Sequence, residues 1–207
     1  MHDQESRIWD KTLMDMIWSQ YEDSYGCAEK VAEYMRKMTP YEVSLMNKQG
    51  IYIYLKSRKI WHEITEHKAV YNMEELSDVA LPYPEADAKN LFVRDDKKRN
   101  YYLITVKGDK RVDLNEFRQK HHTRRLSFAS EQDLMDLLGL IPGAVTPLGL
   151  LNDEARKVQF FLDRAFADAQ GLIGVHPNDN TATVWMKTKD LLNMIEQHGN
   201  EIHIVKI

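Results

Sequence analysis

Ala88-Lys89-Asn90-Leu91-Phe92-Val93-Arg94-Asp95, then the charged Lys97-Lys98-Arg99, then Tyr101-Tyr102-Leu103-Ile104-Thr105-Val106, decide how this chain folds. Residues 91–94 and 101–106 are rich in β-branched and aromatic side chains, and the basic triplet between them suits a solvated hairpin tip. The stretch follows Leu81-Pro82-Tyr83-Pro84-Glu85, the clearest loop in the chain. Lys89 therefore stands between a proline-rich loop and an apolar strand. A surface charge is the ordinary role of a lone lysine, and a core has no use for one at the mouth of a strand.

Working outward, residues 61–65, 125–128, 158–162, 181–186 and 202–205 have the same strand character. Between them lie helix starts: Asp113 with Glu116, Ser130 with Asp133, and Thr188 before Asp190-Leu191-Leu192, each a capping oxygen with acidic first-turn residues. Gly139 and Gly199 stand where two of these helices should end. The spacing predicts an α/β fold, a compact mixed-sheet domain over 47–207 with surrounding helices. Residues 1–46 read as a helical extension: Ile8, Trp9, Leu13, Met16 and Ile17 recur at helical intervals, as do Val31, Tyr34, Met35 and Met38, until Pro40 intervenes. Ile51-Tyr52-Ile53-Tyr54-Leu55 alternates like a strand between helix-compatible flanks, so local pattern leaves it open.

Composition narrows the function. With 43% hydrophobic and 29% charged residues the 207-residue chain has the make-up of a globular protein, and no apolar stretch approaches the roughly 20 residues a membrane span requires. The start lacks the basic end and apolar middle of a secretory signal, and Cys27 is the single cysteine, so a cytoplasmic protein without internal disulfides is expected. His121-His122 and the pair His62 and His67 lack a completing ligand set, so neither a metal nor another cofactor is expected. Charge is uneven: residues 89–125 carry a balance of +7, the remainder −11. Such asymmetry favours a polyanion on one surface, although a charge run is commonly just a solvated face.

Two further polar segments adjoin apolar runs: Gly143-Ala144-Val145-Thr146-Pro147-Leu148-Gly149 and His176-Pro177-Asn178-Asp179-Asn180-Thr181. The first offers backbone groups that a bulky side chain would block. In the second, His176 either positions water or substrate or caps a turn, while Asn178 and Asn180 suit the turn itself. Together with the 89–95 run, Lys110-Arg111-Val112-Asp113-Leu114 and Arg125-Leu126-Ser127-Phe128-Ala129-Ser130, these motifs resemble the YbaK-type aminoacyl-tRNA editing domains related to the prolyl-tRNA synthetase insertion domain. Within them they are most similar to the free-standing, PrdX-like branch that deacylates alanyl-tRNA(Pro). The likeness spans residues 47 to 199.

The resemblance implies a trans-editing hydrolase that cleaves the ester of mischarged tRNA(Pro), with alanine the amino acid removed. Two alternatives stay open: a deacylase clearing cysteine, serine or threonine, and a non-catalytic module that binds an amino acid or charged tRNA. It implies that Lys89 is the functional lysine, that Asn90, His176 and Asn178 help bind substrate, and that Gly143, Ala144, Val145, Thr146 and Pro147 form the loop around the aminoacyl group. Arg124 and Arg125, with Lys98 and Lys107, are the expected RNA contacts, arginine being suited to a guanine edge and lysine to phosphate. The expected partners are the acceptor stem of tRNA(Pro) and a competing prolyl-tRNA synthetase or elongation factor.

Overall fold

The computed structural model describes residues 46–69, 81–168 and 171–207, and the chain divides into two compact units, Met1–Ile60 and Trp61–Ile207. The expected helical extension lies outside the described residues. In the first unit, α1 (Lys48–Ser57) settles the ambiguous 51–55 segment as helix, begun by the Asn47 side chain accepting from the Gly50 N–H.

In the second unit, β2 (Ala88–Asp95) and β3 (Tyr101–Lys107) form the expected antiparallel hairpin, in a register that sets Lys89 opposite Val106 and Asn90 opposite Thr105. They sit inside a five-stranded sheet of order β4-β2-β3-β5-β8, where β4 is Leu126–Phe128, β5 Val158–Asp163 and β8 Ile202–Val205. The β3–β5 and β5–β8 pairings are parallel, and β5 is buried along nearly its whole length, as a strand covered on both faces must be. A three-stranded antiparallel sheet holds β7 (Ala182–Lys187) between β1 (His62–Glu66) and β6 (Leu172–Val175). The mixed α/β architecture expected from the sequence is thus the one observed. β6 was not foreseen.

Helices close the faces. α2 (Leu114–Lys120) starts on the Asp113 carboxylate, and its Phe117 packs with Leu91, Val93, Ile104, Val106 and Phe161 on one face of the larger sheet. α3 (Glu131–Leu138) has the full Ser130/Asp133 capping box and ends on left-handed Gly139. Arg94 and Tyr101 both reach Asp133, which ties α3 to the hairpin on the opposite face from Phe117. A short helix, α4 (Ala165–Asp168), follows β5. α5 (Thr188–His198) buries Leu191, Met194 and Ile195 at helical spacing and ends on Gly199. Thr188 is not its cap. Lys187 occupies that position without a side-chain bond, and the Thr188 hydroxyl instead donates to the Phe166 carbonyl. Among the described residues no helix is long and apolar enough to cross a membrane.

Candidate active site

The two sheets touch at one point near the signature residues, a parallel bridge between Asp87 and Gly174. Two residues beyond it stand Lys89 on one segment and His176 on the other. A strand's period of two puts Lys89 on the same face as Asp87. Gly174 is required there: a Cβ would lie 2.3 Å from the Trp185 ring, whose Nε1 donates to Thr65. The glycine lets an indole close the space where the sheets meet.

The third signature segment fits between the other two. The Asn90 amide donates to the Val145 carbonyl at 3.1 Å, and the Thr146 hydroxyl donates to the His176 carbonyl at 2.7 Å. Ala144, Thr146 and Pro147 are buried, Gly143 adopts a left-handed φ of 88°, and Pro147 opens a 3₁₀ turn, Pro147–Asn152. The loop is therefore fixed on both sides. Asn90 also accepts from the Thr105 hydroxyl at 2.7 Å, so both ends of its side chain are occupied, and its observed contacts make it an anchor of the loop. Lys89 and Asn90 leave β2 on opposite faces, since their cross-strand neighbours Val106 and Thr105 do. Beside them β2 has no ladder partner on its outer edge, because β4 pairs only with Val93–Asp95. The lysine and the anchored loop flank that open edge.

Lys89 is half-buried, and its side chain makes no hydrogen bond or ion pair among the described residues. His176 is held more tightly. Its Nδ1 lies 2.9 Å from the Ala182 carbonyl and must carry the hydrogen, which leaves the Nε2 lone pair of a neutral ring uncommitted to that bond. Burial pushes its pKa down, against the Ala182 carbonyl, which raises it. His67 stands edge-on, with ring centroids 6.1 Å apart, and its Nε2 is 3.1 Å from the Thr183 hydroxyl. Asn178 has a left-handed φ of 59°, in keeping with a turn-shaping role.

Asp87, two residues before Lys89, is not among the expected site residues. It is buried, its Oδ2 has no hydrogen-bond partner among the described residues, and burial raises its pKa to about 6 despite the bond from the Ala88 N–H. Nothing local distinguishes this aspartate from a surface one. Its meaning comes from the bridge to Gly174, a contact between segments far apart in sequence.

The expected RNA residues are dispersed. Lys98, with a left-handed φ of 55°, and exposed Arg125 project from the hairpin side of the larger sheet. Arg124 forks onto Asp96, at 2.5 and 3.0 Å. Lys107 donates to the Glu85 carbonyl and sits over the Phe166 ring. Among the described residues no group of three His, Cys, Asp or Glu side chains is placed to hold a metal.

Residues 67–194 match the family model of the aminoacyl-tRNA editing domain. The prolyl-tRNA editing protein ProX of Acetoanaerobium sticklandii is 36% identical over 160 residues, covering 77% of this chain and 97% of that protein. The prolyl-tRNA synthetase associated domain-containing protein 1 of Mus musculus is 33% identical over 142 residues, covering 67% and 83%. A crystal structure described as that of a candidate trans-editing enzyme for prolyl tRNA synthetase shares the fold, with a TM-score of 0.53 at 20% identity over 70% of this chain and 87% of that one. The chain belongs to the aminoacyl-tRNA editing domain family.

Proposed function

We propose that this protein is a trans-editing aminoacyl-tRNA deacylase that hydrolyses mischarged tRNA(Pro), with Ala-tRNA(Pro) its preferred substrate. The observation that carries the reading is the assembly of three family motifs at one end of the second unit. The Asp87–Gly174 bridge stands two residues from Lys89 and from His176, and the Gly143–Pro147 loop is bonded to Asn90 and to the His176 carbonyl.

The chemistry follows from what each group offers. Water adds to the ester carbonyl, negative charge builds on the carbonyl oxygen, and the bond to the terminal ribose oxygen then breaks. That oxygen takes up a proton, and free amino acid and tRNA leave. Lys89 supplies a compact cation with three donors, suited to the developing oxyanion or to the terminal phosphate. A neutral His176 with its hydrogen on Nδ1 presents a lone pair to the attacking water or to the substrate amine. Asn90 acts by positioning the loop.

Selectivity comes from exclusion. A proline pocket rejects alanine only through lost apolar contact, about 1–3 kcal/mol per missing methylene, too little for accurate translation. A second site against the Gly143–Pro147 loop would reverse the bias: a methyl side chain fits where a pyrrolidine ring collides with a loop held by the Asn90 and Thr146 bonds. The acceptor end of tRNA(Pro) is the nucleic-acid partner, and prolyl-tRNA synthetase or an elongation factor shares that tRNA in a cytoplasmic setting. The editing domain is assigned to residues 47–207, and residues 1–46 to an N-terminal extension of the sequence.

A panel of tRNAs carrying alanine, proline, cysteine, serine or threonine tests the reading. Alanine should be released from tRNA(Pro) and proline retained. Faster release of cysteine, serine or threonine would reassign the substrate, and tight binding without release would make the domain a binding module.

A further inference from the structure

The most exposed large apolar side chain among the described residues is Phe128, 66% exposed at the outer edge strand of the larger sheet. Leu126, two residues earlier, is buried in the cluster beneath α2. A single exposed apolar residue is ordinary, so its neighbours decide what it means. Phe128 stands opposite Val93, and cross-strand partners share a face. Val93, Leu91 and Lys89 follow one another on that face of β2. Lys89 therefore lies four residues along the strand from the ring's partner, about 13 Å at ~3.3 Å per residue.

In the other direction β2 runs into the hairpin whose tip carries exposed Lys97, Lys98 and Arg99, and exposed Arg125 enters β4 beside it. Asp95 accepts from the Lys97 and Arg99 N–H groups and fixes the turn that carries three of these cations. Basic tip, aromatic ring and site lysine are thus ordered along one strand pair. This is the combination that binds single-stranded nucleic acid: cations for the backbone and an aromatic face for any base.

We propose that Phe128 is a stacking platform for an unpaired base at the 3′ end of the tRNA, holding the strand between a stem docked on the basic hairpin and an ester delivered to Lys89. The inference rests on the deacylase reading and names the RNA path into that same site. The 13 Å separation spans about four nucleotides at ~3.4 Å each; because Leu91 and Val93 are buried beneath α2, the unpaired segment would follow the outer edge of β2 past β4 instead of crossing that face.

Single-turnover hydrolysis of Ala-tRNA(Pro) over a range of enzyme concentrations tests it, with 3′-O-alanyl-adenosine, which has no upstream base, as the second substrate. Phe128→Ala should raise the half-saturating concentration for the tRNA about 5- to 150-fold, the usual loss when a stacked aromatic is truncated. The maximal rate and the hydrolysis of the short ester should stay unchanged, and Phe128→Trp should bind as wild type does. The variant should also keep the wild-type dependence of affinity on salt, because stacking releases no counterions. Unchanged half-saturation, or an equal loss on the short ester, would overturn the proposal. A change in sedimentation with tRNA affinity intact would overturn it too, assigning the ring to contact between copies at the free strand edge. If wild type hydrolyses neither ester, the deacylase reading fails, and the affinities of wild type and Phe128→Ala for uncharged tRNA still decide the role of the ring.

Discussion

Strand β2 begins beside one buried aspartate and ends on another, and the two are treated in opposite ways. Asp95 accepts from the Lys97 and Arg99 N–H groups and from the Asn100 amide, at 3.0, 2.9 and 2.7 Å. Burial alone would raise its pKa, but those donors together hold it below the ordinary carboxylate range. Asp87 has an oxygen with no partner among the described residues, and burial raises it to about 6. One end of the strand is a satisfied turn, the other a carboxylate left short of hydrogen bonds. Unmet buried polar groups are tolerated where they serve a site, and here the deficit adjoins Lys89 and His176.

The contrast can be broken or sharpened by substitution. The largest effect is expected from Lys89→Ala, which should slow deacylation about 10²- to 10³-fold, the scale for losing one group that stabilises an oxyanion, with unchanged thermal unfolding. Retained turnover would remove the lysine from the mechanism. Asp95→Ala should act on stability, costing about 3–5 kcal/mol in denaturant unfolding because three hydrogen bonds to one charged acceptor are lost at once.

Asp87→Asn should move stability the other way. A carboxyl whose folded pKa lies above its unfolded value binds more protons when folded, so its penalty is absent below the unfolded value and complete above the folded one. With 3.8 unfolded and about 6 folded, the variant should be more stable by about 3 kcal/mol at neutral pH. That gain should vanish as pH falls from about 6 to 4, as parallel unfolding curves would show. A pH-independent difference would mean that Asp87 acts through shape instead. The smallest change, about 1 kcal/mol, is expected from Ser130→Ala, which removes a cap remote from the site.

Where the fold was legible, local chemistry agreed with tertiary demand. The β2–β3 hairpin, β5 and β8 combine branched or aromatic residues with clear flanks, and the caps at Asp113 and Ser130 perform as their side chains suggest. β6 escaped because Leu172-Ile173-Gly174-Val175 is short and its glycine, after Gly171, reads as a turn. The glycine is instead set by the Trp185 ring, which no local pattern reveals. For 51–55 the alternation competed with a helix whose start was visible in Asn47, three residues before the Gly50 N–H it accepts from. The site was half legible. Its motifs single out Lys89, His176 and the 143–147 loop as candidates, but the bond that turns Asn90 into a loop anchor and the orphaned oxygen of Asp87 depend on contacts between distant segments.

The most direct test is a crystal structure of the full chain with 3′-deoxy-3′-alanylamino-adenosine, whose amide resists hydrolysis. The alanyl group should lie against the Gly143–Pro147 loop, with the Lys89 ammonium bonded to the carbonyl oxygen or the 5′ side of the nucleoside and His176 Nε2 facing the carbonyl carbon. An analogue bound elsewhere, with Lys89 extended into solvent, would contradict this arrangement.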